Sequence, residues 1–154
     1  MKRYCLAVLV DNKPGVLTHV SGLISRRAFN IESISAGYTE DEDITRINIV
    51  VSVDSDRELE QVKNQLAKLV DVVKVVNISD TEHLACELVL VKVRATAETR
   101  ADIVNIVNTF RAKIVDISRS NVIIKLTGGE KKINAMIEVL SDYEILEIAR
   151  TGTI

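Results

Sequence analysis

The segment Asp11-Asn12-Lys13-Pro14-Gly15-Val16-Leu17 holds residue types suited to recognising a small zwitterion. Gly15 has no side chain, so a ligand can approach the backbone closely there. Pro14 is tolerated in the first turn of a helix, and the free N–H groups of a helix start attract a carboxylate. The Asn12 amide both donates and accepts, which suits the ammonium and carboxylate of an amino acid. Asn30 supplies a second amide of this kind, and Ile31 an apolar wall. The same residues fit a plain helix cap with two turn asparagines, and residue type alone does not separate the two readings.

Other chemistry is harder to assemble. His19 falls in the middle of an amphipathic segment and His83 in a polar stretch, neither at a motif spacing from a nucleophile or a carboxylate. Cys5 and Cys86 lie in apolar runs with no CxxC or Cys/His spacing, so they read as core thiols rather than nucleophiles or metal ligands. The run Glu40-Asp41-Glu42-Asp43 lacks the spaced ligands and glycine of a calcium loop and reads as a solvated hairpin turn. Thr127-Gly128-Gly129-Glu130-Lys131-Lys132 misses the phosphate-loop spacing and reads as a strand-to-helix turn. Arg26, Arg27 and Asn48 are the types an acylphosphatase needs, but they sit in no recognisable loop.

Composition narrows the classes further. Of 154 residues, 47% are hydrophobic and 27% charged, which is globular composition and excludes a disordered chain. A net charge of −2 with only 3% aromatic residues argues against nucleic-acid binding. No apolar run approaches the roughly 20 residues of a membrane span. The basic start followed by residues 6–10 imitates a signal peptide but is too short, so a buried strand is expected, in a cytoplasmic protein.

The elements that must position the first loop come from an internal repeat. Tyr4-Cys5-Leu6-Ala7-Val8-Leu9-Val10 matches Ala85-Cys86-Glu87-Leu88-Val89-Leu90-Val91. Asn30-Ile31-Glu32-Ser33-Ile34-Ser35 matches Lys113-Ile114-Val115-Asp116-Ile117-Ser118, and Val72-Val73-Lys74-Val75-Val76 parallels Ile145-Leu146-Glu147-Ile148-Ala149. In the first copy a strand at 6–10 precedes a helix on Val16, Leu17, Val20, Leu23 and Ile24, for which Asp11 or Asn12 is the expected cap. Strands at 31–38 and 44–53 flank the acidic turn. A helix on Leu59, Val62, Leu66 and Leu69, capped by Ser55 or Asp56, then leads to a strand at 72–78.

The second copy repeats this order with strands at 84–93, 113–118, 122–127 and 145–150. Its helices carry Ile103, Ile106, Val107 and Phe110, then Ile133, Met136, Ile137 and Leu140. The expectation is an α+β chain of two tandem βαββαβ ferredoxin-like domains, residues 1–79 and 84–154, joined by a linker at 80–83. Val93-Arg94-Ala95-Thr96-Ala97-Glu98, the counterpart of the first loop, has neither Gly nor Pro, so the ligand site is expected in the first copy. The opening strand is apolar on both faces, which predicts a further cover and hence oligomerisation.

At these residues a family resemblance becomes specific. Asn12-x-Pro14-Gly15-Val16-Leu17 after an apolar strand resembles the ACT domain, a small-molecule sensing module. Asn30-Ile31-Glu32-Ser33-Ile34, Leu66-Ala67-Lys68-Leu69-Val70-Asp71-Val72 and Glu87-Leu88-Val89-Leu90-Val91-Lys92-Val93 extend it. So do Phe110-Arg111-Ala112-Lys113-Ile114-Val115-Asp116 and Glu147-Ile148-Ala149-Arg150-Thr151-Gly152. In order, over essentially the whole chain, these look like the regulatory (small) subunits of acetohydroxyacid synthase, also called acetolactate synthase.

The resemblance implies a non-catalytic subunit that activates the catalytic subunit and confers feedback inhibition by valine in branched-chain amino acid biosynthesis. It implies thiamine diphosphate, FAD and magnesium in that partner, and no cofactor in this chain. It also implies a homodimer through edge-to-edge ACT domains with the effector at their interface, and no nucleic-acid or membrane partner. The positions matching the family's effector motif are Asn12, Gly15, Val16, Leu17, Asn30 and Ile31, with Pro14 and Gly37 beside them; Lys13 departs from the pattern. The alternative is an ACT-type amino-acid sensor regulating a different enzyme.

Overall fold

The computed structural model describes residues 2–26 and 29–154, which divide into two compact units. The first runs to Leu84 and the second spans Ala85–Gly152. Each is built in the order βαββαβ around one four-stranded antiparallel sheet with its two helices on one face.

In the first unit, β1 (Lys2–Asp11), α1 (Val16–Arg26), β2 (Asn30–Tyr38), β3 (Ile44–Val53), α2 (Asp56–Leu66) and β4 (Val72–Asn77) give the strand order β2-β3-β1-β4. The core follows from the two sequence periods. Alternate residues Leu6, Val8 and Val10 of β1 and Ile47, Ile49, Val51 and Val53 of β3 point to one face. Val16, Val20 and Ile24 of α1 and Leu59, Val62 and Leu66 of α2 cover them at helical spacing. On the opposite face Ala7 and Val50 are also buried, at 3% and 5% exposure.

In the second unit, β5 (Glu87–Arg94), α3 (Arg100–Thr109), β6 (Lys113–Ile117), β7 (Asn121–Gly128), α4 (Glu130–Leu140) and β8 (Ile145–Arg150) give the order β6-β7-β5-β8. Val89, Val91 and Val93 pack with Val122, Ile124 and Leu126 beneath Ile103, Val107, Ile133, Met136 and Leu140. The repeat extends to irregularities. The edge strands β2 and β6 carry bulges at Ile31/Ser33 and Ile114/Asp116, and β4 and β8 meet their neighbours across bulges at Leu9/Val10 and Lys92/Val93.

Three local expectations are corrected. Neither Asp11 nor Asn12 caps α1; Asp11 pairs with Lys13 and the Asn12 amide reaches the β2–β3 hairpin instead. The strand expected at 72–78 ends at Asn77, whose side chain accepts from Ser79 N–H and turns Ile78–Asp80 into a 3₁₀ turn. The strand expected from 84 begins at Glu87, because Leu84 is 93% exposed and Cys86 exchanges both backbone bonds with Ile154 rather than with β7. For α2 the cap is Ser55, whose hydroxyl accepts from Glu58 N–H while Glu58 accepts from Asp54 N–H. Among the described residues no helix is long and apolar enough to cross a membrane.

Candidate functional site

The β1–α1 loop of the first unit is a turn with an open helix end. Gly15 stands at φ +87°, a left-handed conformation that costs other residues strain, and a Cβ built there would meet nothing within 4 Å. Beyond it α1 starts at Val16, whose N–H makes only a 3.5 Å bond to Lys13 O. Among the described residues nothing accepts from the N–H groups of Leu17 or Thr18. Unpartnered donors at the positive end of a helix are what binds a carboxylate.

Asn12 fixes the loop in place. Its backbone N–H donates to Asp43 O (2.7 Å), its Nδ2 donates to Glu42 O (2.8 Å), and its Oδ1 accepts from Thr45 Oγ1 (3.2 Å). One amide hydrogen and one oxygen lone pair are left for a ligand. Next to it Lys13 Nζ lies 2.6 Å from Asp11 Oδ2, and that carboxylate holds the ammonium charged, its pKa above the ordinary 10.5. The Asp11 N–H donates to Asp71 O (2.8 Å), and Asp71 Oδ2 lies 3.1 Å from His19 Nδ1. His19 therefore belongs to the loop's support, with its side chain 62% exposed.

Above the loop lies a cavity of about 180 Å³, lined by Asn12, Lys13, Val16 and Leu17 and, from the sheet, by Val10, Asp11, Ala36, Thr45 and Ile47. The sheet residues were not legible as site residues in the sequence. They reach the loop because β3 pairs with β1 in the register Val8↔Ile47, Val10↔Thr45 and β2 with β3 in the register Ala36↔Ile47. Leu17 stands half exposed at the mouth.

Within one chain the six positions expected for an effector motif, with Pro14 and Gly37 beside them, are not all gathered in one place. Asn12, Val16 and Leu17 line the cavity, and Pro14 and Gly15 form the turn beside it. Gly37 sits on β2 opposite Arg46, near the same end of the sheet. Asn30 and Ile31 pair with Ser52 and Val51, seven and six residues along β3 from Thr45, which is about 20–24 Å of strand. Within one chain they are at the far end.

The remaining candidates separate as well. His83 bonds to Thr81 O in the segment after β4, and Cys5 and Cys86 are free and half buried. Burial pushes the Cys5 thiol pKa up, which disfavours a nucleophilic thiolate. Arg27 lies outside the described residues, Arg26 ends α1, and Asn48 is engaged by Arg46 and Ser35, so no phosphate cradle forms among the residues described. Among them no three His, Cys, Asp or Glu side chains come together as metal ligands.

The fold and the loop define an ACT-type module followed by a second ferredoxin-like unit. Comparison with known proteins agrees over both: residues 6–74 match the model of the AHAS small subunit-like ACT domain, and residues 86–154 match that of the small subunit of acetolactate synthase. The acetolactate synthase small subunit of Mycolicibacterium smegmatis is 48% identical over 98% of this chain and 88% of its own length. That of Bacillus subtilis is 44% identical over 99% and 90%. The crystal structure of the small subunit from Thermotoga maritima superposes with a TM-score of 0.91 at 39% identity, covering 100% of this chain and 96% of that one. The chain belongs to the acetolactate synthase small-subunit family.

Proposed function

We propose that this chain is a non-catalytic regulatory subunit that activates the catalytic subunit of acetohydroxyacid synthase and makes it sensitive to inhibition by valine. The observation that carries the effector half of this reading is the open start of α1 behind Gly15, with the aliphatic wall of Val16 and Leu17 beside it. Valine places its carboxylate on the free N–H groups and its isopropyl group against that wall. One methylene is worth only about 1–3 kcal/mol of discrimination, so leucine and isoleucine bind more weakly rather than not at all. The chemistry of acetolactate formation, with thiamine diphosphate, FAD and magnesium, belongs to the partner in a cytoplasmic complex.

The site needs two chains. Strand β2 is a sheet edge with one side unpaired. Antiparallel pairing of two such edges about a two-fold axis sets the start of one β2 beside the end of the other. That carries the Asn30 and Ile31 of a second copy across to Gly37 and the 12–17 loop, closing the effector cavity from the open side. Inhibition then follows from the effector favouring one state of the paired units over another, since equal affinity for both would shift nothing.

The deciding experiment is reconstitution with the catalytic subunit, following acetolactate formation with and without valine. Activation that valine suppresses supports the reading. Activation without valine sensitivity keeps the partner and transfers the effector question to another ligand, and no activation leaves an ACT-type sensor of a different enzyme.

A further inference from the structure

The function above does not use the cleft at the β2–β3 hairpin. This cleft of about 540 Å³ lies on the side of the hairpin away from the effector cavity and is lined by Leu9, Tyr38, Ile44 and Arg46 with Glu40 and Asp41. Tyr38, the last residue of β2, is 80% exposed within one chain, and its ring lines the cleft on the sheet face away from the helices. The turn is stiff: the Thr39 hydroxyl lies 2.9 Å from Asp41 O and 3.0 Å from Ile44 O, and Asp43 N–H donates to Asp41 Oδ1 at 3.0 Å. Among the described residues none of the carboxylates of Glu40, Asp41, Glu42 and Asp43 is in an ion pair. The cation lining the cleft, Arg46, is turned by its Nε bond to Asn48.

A cleft that sets Leu9, Tyr38 and Ile44 beside the carboxylates of Glu40 and Asp41, with Arg46 held aside by Asn48, complements a surface that offers aliphatic groups beside lysine or arginine. Resting on the regulatory-subunit reading, we propose that this cleft is where the catalytic subunit docks, through a basic and apolar patch, and that Asn12 couples it to the effector loop. The coupling is direct. Asn12 holds the Glu42 and Asp43 carbonyls of the hairpin at 2.8 and 2.7 Å, so an effector that draws on the Asn12 amide alters the seating of the hairpin.

The test is the full chain carrying Tyr38→Ala, Glu40→Gln and Glu42→Gln, titrated into the catalytic subunit. All three side chains are exposed, so the fold is retained. The expected result is a rise of at least tenfold in the concentration giving half-maximal activation, with valine binding to the isolated variant unchanged by calorimetry. A control variant, Glu138→Gln with Asp142→Asn, loses the same charge from the second unit and is expected to activate as the wild type does. An activation curve within twofold of wild type overturns the proposal. So does a variant that only dissociates copies of this chain in sedimentation, which would assign the cleft to self-association. If the wild type binds valine but activates nothing, the partner reading fails first and the docking surface with it. If the triple variant does not fold, Tyr38→Ser alone replaces it, with a threefold rise expected.

Discussion

The two units turn into their first helices in different ways. In the first, Gly15 turns the chain and leaves the N–H groups of Leu17 and Thr18 with no acceptor among the described residues. In the second, the turn before α3 is held by its own side chains: Thr96 N–H donates to Thr99 Oγ1 and Thr99 N–H to Thr96 Oγ1, at 3.0 and 3.3 Å, and Arg100 N–H donates to Thr96 O, while the N–H groups of Ala101 and Asp102 likewise find no acceptor among the described residues. Yet the scaffold behind both loops is the same. Asn12 N–H donates to Asp43 O in one unit, and Ala95 N–H to Ser120 O in the other, each tying the loop to the hairpin of its sheet. One fold thus carries a glycine turn or a side-chain-braced turn at the same point according to a few loop residues, in line with function lying in sites grafted onto a fold.

The hairpins differ in the same sense. That of the first unit bears four carboxylates without ion pairs among the described residues. That of the second is a tight turn clamped by Arg100, which donates from Nη2 to Ser118 O and Arg119 O.

This contrast is broken most severely by Gly15→Asp. If the proposed site holds valine by its carboxylate, a second carboxylate there opposes it by several kcal/mol, so the valine concentration for half inhibition is expected to rise by roughly 100-fold or more while activation persists. Ala97→Asp, at the corresponding loop of the second unit, is expected to leave inhibition unchanged. Full valine sensitivity in Gly15→Asp would remove the site from this loop.

Next in size is Arg150→Ala. The Glu87 carboxylate, 4% exposed, is paired with the Arg150 guanidinium, which also donates to Asn134 Oδ1 at 2.9 Å. Removing one member of a buried pair costs about 3 kcal/mol or more. Thermal unfolding is expected to show the second unit weakened while valine still binds the first; equal loss in both would mean that they unfold as one.

Ser55→Ala, which removes the cap of α2, is expected to cost about 1 kcal/mol in urea unfolding, since the Glu58 N–H loses its acceptor. In the second unit the N-cap positions Thr99 and Gly129 make no side-chain cap bond, so this type of loss is confined to the first.

The smallest effect is on the acid side. Hydrogen bonds from Tyr4 and Lys2 lower the Asp56 pKa below its ordinary 3.8. A depressed carboxylate stabilises the fold above its unfolded pKa, and that contribution fades as pH falls through the folded value. Asp56→Asn is therefore expected to be slightly less stable than wild type at pH 6, with the gap closing as the pH falls below 3.8; a gap that widens on acidification would contradict the assignment.

Much of this was legible in the residue order. The apolar alternation of Leu6, Val8 and Val10, the helical spacing of Val16, Val20 and Ile24, and the duplicated runs around Cys5 and Cys86 define two βαββαβ units, since each pattern buries only one way. The Gly15 turn was legible too, because few residues accept its backbone conformation. The role of Asn12 was not. Its amide had two local uses on paper, capping α1 or meeting a ligand, and the structure gives it a third, the Glu42 carbonyl thirty residues away.

Local sequence thus determined the elements, the repeat and the glycine turn that sets the first loop apart from the second, because propensity, period and backbone strain act over a few residues. Tertiary structure decided which distant residues face that loop. The pairing of β1 with β3 and β3 with β2 brings Thr45, Ile47 and Ala36 to the cavity and sends Asn30 and Ile31 to the opposite end of the sheet. Strand register is set by the packing of the whole sheet, and no single strand carries it.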